Sequence, residues 1–133
     1  MTENKDIIKL IREKDMLAKK LGIEIVEAAD GRSHVTMMLD ETVANGVGNA
    51  HGGTIFSLAD LAFATACNSE GILSVSIEAN IHYMAPCICE GRLDAFGEKV
   101  SETKSLGFYK IRVVRPSDDK LIAEINAIAF KKG

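Results

Sequence analysis

The chain lacks a cysteine pattern typical of disulfide scaffolds or metal sites, and it has no hydrophobic run long enough to cross a membrane. The three cysteines are Cys67, Cys87 and Cys89, an odd number. Their spacing is not that of a disulfide scaffold, a redox Cys-x-x-C motif or a zinc site. The longest apolar run, Thr54–Cys67, is too short for a bilayer and carries Asp60 at its centre. We therefore expect small buried or half-buried thiols, no metal site and no membrane-spanning segment.

A basic surface and a secretion signal are also missing. The formal net charge of −3 argues against a protein built to bind nucleic acid or an anionic membrane. The stretch Met1–Lys20 is highly charged and has no apolar signal core. The sequence therefore predicts a soluble, cytoplasmic protein, and 133 residues suffice for one domain with a genuine core.

What is present is a regular order of helix and strand patterns. Apolar residues at helical spacing predict an amphipathic helix over Lys5–Leu21, which Gly22 ends. Two strands, Ile23–Asp30 and Arg32–Leu39, follow around the turn pair Asp30-Gly31. After a loop comes a helix over Gly52–Ser69 that is apolar almost all round, which indicates that it is enclosed by the fold.

Four further strands are predicted in the C-terminal half: Ile72–Met84, Gly91–Val100, Leu106–Arg115 and Leu121–Phe130. The first alternates cleanly, which predicts Val75, Ile77 and Ala79 on one face and Ser74, Ser76 and Glu78 on the other. The order favours an α+β fold in which a curled antiparallel sheet of about six strands encloses the central helix. Apolar residues on the outer sheet face predict contact with another subunit.

The segment before the central helix carries the most chemical information. Asn45 begins a glycine-rich loop, and His51 precedes the glycine pair that opens the helix. A helix start directs backbone N–H groups and positive dipole at whatever lies in front of it. Asp60 lies within the same helix. Burying an unpaired carboxylate costs folding free energy or shifts its pKa, so a carboxylate in such a helix indicates a function. An oxyanion donor and a candidate base on one helix predict half of a hydrolase site.

These residues resemble a known family. The run NGVGNAHGG, the helix TIFSLADLAFATACNSEG, and the segments SVSIEANIHYMAP and GRLDAFGE are similar to hotdog-fold thioesterases of the phenylacetic-acid-degradation (PaaI-like) type. The resemblance extends from about Gly22 to Phe130, and the joint pattern Asn-x5-His-Gly-Gly-x6-Asp is its most specific part. It implies a single hotdog domain over residues 1–133, with an extra N-terminal helix in 1–21 and the core in 22–133.

The resemblance implies hydrolysis of acyl-CoA thioesters to coenzyme A and a free carboxylic acid. The Gly53 N–H would polarise the thioester carbonyl, and Asp60 would act as nucleophile or general base on substrate bound to the neighbouring subunit. Asn45 would position the thioester or the attacking water, and Ser76 contributes to water positioning in some relatives. Sites then form across a dimer interface, and dimers pair into tetramers.

The remaining candidates are assigned more loosely. His51 belongs to the motif, but we favour a structural, loop-orienting role over acid–base catalysis. Gly52, with Lys104 and Ser105 in the turn before a strand, is expected to contact substrate, since relatives often bind coenzyme A phosphates at that turn. No cofactor is expected, because coenzyme A is part of the substrate.

Two other functions are compatible with the pattern. A hotdog dehydratase would need a histidine paired with an acid around the substrate, and Asp60 has no helical histidine partner. A non-catalytic acyl-CoA or fatty-acid binding protein would keep the fold without turnover. The acyl group stays open between phenylacetyl-type, other aryl and medium-chain groups, as does the choice between covalent and base-assisted attack by Asp60.

Overall fold

The computed structural model describes residues 7–132, which form one curled antiparallel sheet of six strands around a helix. The helices are α1 (Ile7–Lys14), α2 (Met16–Leu21) and α3 (Gly52–Asn68), with a 3-10 turn at Glu41–Val43. The strands are β1 (Glu24–Ala29), β2 (Arg32–Leu39), β3 (Ser74–Tyr83), β4 (Gly91–Glu102), β5 (Leu106–Arg115) and β6 (Lys120–Lys131). The order across the sheet is β1-β2-β4-β5-β6-β3, so β1 and β3 are the edges. The predicted α+β architecture is confirmed.

Helix α3 lies against the inner face of the sheet and supplies 8 of the 25 buried residues of the hydrophobic core. The buried residues of α3 include Leu58, Ala59, Ala62, Phe63 and Ala66. They pack against alternate residues of the strands, including Val35, Leu93, Ala95, Ile111, Val113 and Ile125. Because strand side chains alternate between the two faces, this single stripe from each strand is enough to seat the helix.

Glycine at position 97 lets the helix come close to the sheet. A Cβ atom there would lie 2.9 Å from Ser33 Oγ and 3.0 Å from the carbonyl oxygen of Ala62. The buried Ser33 hydroxyl donates a hydrogen bond to that same Ala62 carbonyl. Strands β2 and β4 therefore fix the depth at which α3 packs, and with it the position of every α3 side chain.

The first hairpin agrees with its sequence signal. Asp30 and Gly31 both have positive φ, 55° and 79°, as a tight two-residue turn requires. The strands it joins run over Glu24–Ala29 and Arg32–Leu39, and β2 buries alternate residues. The prediction of this hairpin is confirmed.

The N-terminal helix is interrupted, which corrects the prediction of one helix over Lys5–Leu21. Asp15 has extended backbone dihedrals, and its side chain accepts a hydrogen bond of 3.0 Å from the Ala18 amide. It thereby ends α1 and caps α2, because an aspartate oxygen satisfies an amide that a helix start leaves free. Gly22 ends α2 in the left-handed conformation, as predicted. The first residues of the predicted helix, 5 and 6, lie outside the described range.

Strand β3 contains a bulge, which corrects the predicted clean alternation over Ile72–Met84. Ser76 pairs with Ala129 of β6, but the next pair is Glu78 with Ile128, so Ile77 is the extra residue. Directly paired residues share a face, and Ala129 is buried beneath α3. Ser76 therefore lies on the helix-facing side, whereas the sequence pattern placed it on the opposite face from Ala79. One inserted residue exchanges the sheet faces on which the side chains before and after it lie.

Helix α3 is not enclosed on all sides within one chain, which corrects a further expectation. A stripe at helical spacing stays exposed or half-buried: Gly53, Phe56, Ser57, Asp60 and Ala64. The opposite faces are buried by the sheet and the N-terminal segment. The accessible stripe therefore runs from the start of α3 to Asp60 and beyond. None of the helices in residues 7–132 is long and apolar enough to cross a membrane.

Candidate active site

The start of α3 is capped by an imidazole. His51 has extended backbone dihedrals, and its Nδ1 accepts a hydrogen bond of 2.9 Å from the Gly53 amide. The Thr54 and Ile55 amides bond to the His51 carbonyl. Because Nδ1 accepts, the neutral ring carries its proton on Nε2. The Gly53 amide, which is predicted to polarise the thioester carbonyl, therefore donates its hydrogen bond to the His51 side chain in this structure.

Asn45 organises the loop before the helix. Its Oδ1 accepts two hydrogen bonds of 3.0 Å, from the amides of Val47 and Asn49. The Asn45 amide bonds to the Asn49 carbonyl at 2.7 Å, which closes the loop. Both side-chain bonds use the oxygen, so the half-buried Asn45 presents its Nδ2 donors away from the loop. A donor fixed in this way suits a carbonyl oxygen or a water molecule.

Tyr83 holds the same helix start from the sheet, and sequence reasoning did not identify it. Its hydroxyl donates a hydrogen bond of 3.0 Å to the Gly52 carbonyl. A Cβ atom at position 52 would lie 3.3 Å from that hydroxyl oxygen, so glycine leaves room for the phenol ring. The two residues are far apart in the chain, so no local pattern could have connected them.

Asn45, Gly52 and Tyr83 line a common surface cleft, which we call the donor cleft. Gly53 follows Gly52 in α3 but is not part of the lining. The cleft has a volume of about 310 Å³, and its lining also includes Met84 and Pro86. The cleft thus combines backbone and side-chain donors from the loop, the start of α3 and the end of β3. It can receive a carbonyl oxygen, but it contains no carboxylate.

Asp60 lies in a second cleft, which we call the carboxylate cleft. This cleft has a volume of about 240 Å³ and lies between α2 and the exposed stripe of α3. Although the residue is exposed in the single chain, the cleft walls remove part of the hydration of its carboxyl group and raise the pKa of Asp60 above its ordinary value. The negative charge of Asp15, on the opposite wall, raises it further. A carboxylate of this kind is a better base than an exposed aspartate.

One chain does not bring the two clefts together. They share no lining residue. Gly53 and Asp60 lie on the same stripe of α3, but seven residues of helix separate them by about 10 Å along the axis. A thioester carbon needs its carbonyl donor and its attacking atom each within about 4 Å. Asn45 and Gly52 therefore line one half of a site, with Gly53 next to Gly52 at the start of α3, and Asp60 lies in the other half.

The other predicted site residues lie away from both clefts. Ser76 is exposed on β3 and lines neither cleft. Lys104 and Ser105 form the exposed turn between β4 and β5. Ion pairs of Lys99 with Glu70 (2.7 Å) and Glu102 (3.2 Å) place that turn beside the C-terminal end of α3. Within one chain the turn is therefore at the opposite end of α3 from Gly53.

Of the three cysteines, Cys87 lines the donor cleft, whereas Cys67 and Cys89 line neither cleft. Burial raises the pKa of Cys67 to about 12, so its thiol stays protonated at neutral pH. Cys87 is buried and Cys89 is half-buried, and both are free thiols. Within residues 7–132, His, Cys, Asp and Glu side chains form no group of three or more that could hold a metal ion.

Comparison with known proteins assigns the fold and its chemistry. The family model described as the thioesterase superfamily matches residues 47–122, which include the start of α3 and Asp60. The acyl-coenzyme A thioesterase PaaI of Escherichia coli K12 is 39% identical over 102 residues, which cover 77% of this chain and 73% of that protein. The chain belongs to the thioesterase superfamily. The prediction of a thioester hydrolase is thereby confirmed at the level of the family.

A solved structure of PaaI and one further relative agree with this assignment. The solved structure of the E. coli PaaI protein from the phenylacetic acid degradation operon superposes with a TM-score of 0.90, at 34% identity, and covers 95% of this chain and 91% of its own. The human acyl-coenzyme A thioesterase 13 is 29% identical over 128 residues, covering 93% of this chain and 91% of that protein. The fold of this thioesterase is the hotdog fold, as the sequence resemblance implied.

Proposed function

We propose that this thioesterase hydrolyses acyl-CoA thioesters to coenzyme A and a free carboxylic acid, at a site assembled from two subunits. The observation that carries the proposal is the separation along α3 of Asp60, in the carboxylate cleft, from Asn45 and Gly52, in the donor cleft. The names of the E. coli and human relatives support acyl-CoA as the substrate class. Coenzyme A enters as part of the substrate, and no cofactor is required.

The donor cleft of one subunit binds the thioester carbonyl. The Gly53 amide and the Asn45 Nδ2 group supply hydrogen bonds to the oxygen on which negative charge develops. When substrate binds, the hydrogen bond from the Gly53 amide to His51 Nδ1 breaks, and the amide donates to the thioester carbonyl oxygen instead. His51 thus serves as the resting partner of the oxyanion donor, consistent with a loop-orienting role.

The carboxylate cleft of the neighbouring subunit supplies Asp60. Its carboxylate either removes a proton from the attacking water or attacks the carbonyl carbon directly to form an anhydride that water then hydrolyses. In both cases the C–S bond breaks with coenzyme A leaving as the thiolate. Within one chain Ser76, Lys104 and Ser105 line neither cleft, so in this proposal they act across the subunit interface: Ser76 assists in placing the water, and Lys104 and Ser105 contact the substrate. Gly52 contacts the substrate from the donor cleft.

A paired site requires a subunit interface, and β3 offers one. It is an edge strand whose outer side carries exposed Val75 and the bulged Ile77, 41% and 57% exposed. An edge strand with exposed apolar residues offers unpaired backbone groups and apolar surface to which another chain can pair. We propose a dimer joined through β3 that brings the donor cleft of one subunit to the carboxylate cleft of the other, with pairing of dimers into a tetramer.

The first experiment measures thiol release from a panel of aryl- and fatty-acyl-CoAs by wild type and by Asp60→Asn. We expect turnover by wild type and a loss of about 100-fold or more in kcat in the variant, since amide cannot act as base or nucleophile. Turnover by wild type that persists in Asp60→Asn would overturn the role of the carboxylate. Binding of acyl-CoA without turnover of any thioester would favour the alternative, a non-catalytic acyl-CoA binding protein.

A mixed oligomer tests the division of the site between subunits. Asp60→Asn and Asn45→Ala chains, each with a different affinity tag, are co-expressed and purified in tandem, so that every oligomer contains both. If each site takes Asp60 from one chain and Asn45 from its partner, one intact site forms and activity returns well above that of either single variant. If each site lies within one chain, the mixed oligomer stays as inactive as its parents.

A further inference from the structure

The carboxylate cleft is built from two segments that are distant in the chain. One wall is the exposed stripe of α3, with Phe56, Asp60 and Ala64. The other wall comes from α2 and the residue that caps it, Leu17 and Asp15. The α2 segment lies before residue 47, outside the part of the chain that the family model matches. A feature of this chain's N-terminal segment thus faces the predicted catalytic carboxylate.

The orientation of Leu17 is set by its neighbours. Ala18 is buried in the core at 8% exposure, and its amide is held by the Asp15 carboxylate. Gly22 ends the helix less than two turns later. With Ala18 fixed against the core and both ends of α2 capped, Leu17 is directed to the rim of the cleft and stays 56% exposed. The break at Asp15 therefore turns a leucine toward Asp60 that a continuous helix would place elsewhere.

The chemistry of the cleft selects one part of an acyl-CoA molecule. Its lining is apolar except for Ser57 and two carboxylates, Asp15 and Asp60, and it includes no cationic side chain. The pantetheine arm of coenzyme A is joined to the same carbonyl carbon through sulfur, but its amide carbonyls need hydrogen-bond donors. The one hydroxyl of the lining, that of Ser57, already donates to the Gly53 carbonyl. The acyl group is apolar and uncharged, and it is attached directly to the carbonyl carbon that Asp60 must reach. Only the acyl side of the substrate fits both requirements.

The volume limits the size of that group. A dry apolar cavity of about 150 Å³ holds a benzene ring. The carboxylate cleft, at about 240 Å³, can therefore receive one aryl ring with a short linker, or a medium-length alkyl chain, before it is full. A longer chain would have to pass the rim at Leu17.

We propose that the carboxylate cleft is the acyl pocket and that Leu17 is a specificity-determining residue that sets the length of the acyl group. This inference rests on the proposed function, because it takes Asp60 as the group that acts on the thioester. It assigns substrate selection to the N-terminal segment and catalysis to the hotdog core.

The test compares kcat/KM for acetyl-, hexanoyl-, decanoyl- and phenylacetyl-CoA in Leu17→Phe, Leu17→Ala and wild type. Leu17→Phe narrows the rim, so we expect its decanoyl-to-acetyl ratio to fall by 10-fold or more. Leu17→Ala widens the rim, so the same ratio should rise several-fold. The matched control is Leu10→Phe, because Leu10 is a similarly exposed leucine of α1 (54%) that does not line the cleft. Its ratio should stay within twofold of wild type.

A second variant addresses the opposite wall. Ala64→Val adds bulk to α3 within the cleft and should lower the decanoyl-to-acetyl ratio in the same direction as Leu17→Phe. If wild type is active but neither the Leu17 variants nor Ala64→Val changes the ratio, the acyl-pocket inference is overturned while the proposed function stands. If wild type hydrolyses no acyl-CoA in the panel, the proposed function fails and this inference fails with it.

Discussion

The Nδ1 atom of His51 accepts a hydrogen bond of 2.9 Å from the amide of Gly53, the group predicted to polarise the thioester carbonyl. One histidine thus caps the start of α3 and accepts the hydrogen bond of the predicted oxyanion donor. The relationship explains why a histidine in the motif can matter without acting as acid or base.

Removal of this cap should affect stability more than catalysis. We expect His51→Ala to lower the free energy of unfolding by about 1 kcal/mol, because the α3 start loses an acceptor, and His51→Asn to recover most of that loss. The kcat of both variants should stay within about 10-fold of wild type. Urea unfolding and steady-state kinetics check this, and a loss of about 100-fold or more in kcat in both variants would instead indicate acid–base chemistry by His51.

The pH dependence of activity should respond to Asp15. Loss of hydration and the Asp15 charge both raise the pKa of Asp60, so the acid limb of the kcat/KM profile should lie above the ordinary aspartate range. In Asp15→Asn the charge is lost but the α2 cap is retained, since asparagine caps helices as well as aspartate does. The acid limb should move to lower pH. It should still lie above the ordinary aspartate range, because the loss of hydration continues to raise the pKa of Asp60. An unchanged limb would mean that Asp15 does not influence the titrating group.

Asp60 should also be unfavourable for stability at neutral pH. Its pKa is raised in the folded protein, so the folded state holds the proton more tightly than the unfolded chain, and ionisation costs folding free energy. Stability from this group is therefore lost as pH rises from about 4 through the folded pKa. We expect Asp60→Asn to have a Tm equal to or above that of wild type at pH 7, with the difference disappearing below about pH 4. A lower Tm at pH 7 would contradict this account.

Tyr83 should act as a positioning residue for the start of α3. Tyr83→Phe keeps the ring against Gly52 but removes the hydrogen bond to its carbonyl, so we expect kcat to fall several-fold with little change in KM. The loss of unfolding free energy should be only about 1 kcal/mol. The matched control is Tyr109→Phe, since Tyr109 is the other tyrosine and packs on Phe63 in the core. Reduced stability with unchanged kinetics would assign Tyr83 a structural role alone.

Gly97 should be intolerant of a methyl group. In Gly97→Ala the new Cβ would approach Ser33 Oγ at 2.9 Å and the Ala62 carbonyl at 3.0 Å, so α3 or β4 must shift. We expect the free energy of unfolding to fall by about 1–3 kcal/mol. Gly46→Ala is the control, because a Cβ there meets nothing within 4 Å. Equal denaturation midpoints for the two variants would show that the packing of α3 on β4 is not this tight.

The local signals in the sequence were sufficient for most elements. Asp30-Gly31 specified its turn because both residues tolerate positive φ, and Gly22 specified the end of α2 for the same reason. The buried stripe of β2 followed from alternation alone. The motif from Asn45 to Asp60 also identified the family, because its residues are close in the chain.

The tertiary structure decided the features that depend on contacts between distant segments. The bulge at Ile77 moves Ser76 to the helix-facing side, and only its pairing with β6 reveals this. The hydrogen bond from Tyr83 to Gly52 joins positions 31 residues apart. The separation of Asp60 from the donor groups, and the cleft it shares with Leu17, arise from how α2 and α3 pack. Sequence patterns encode the conformation of each segment, whereas the distances between segments are set by packing against the rest of the chain.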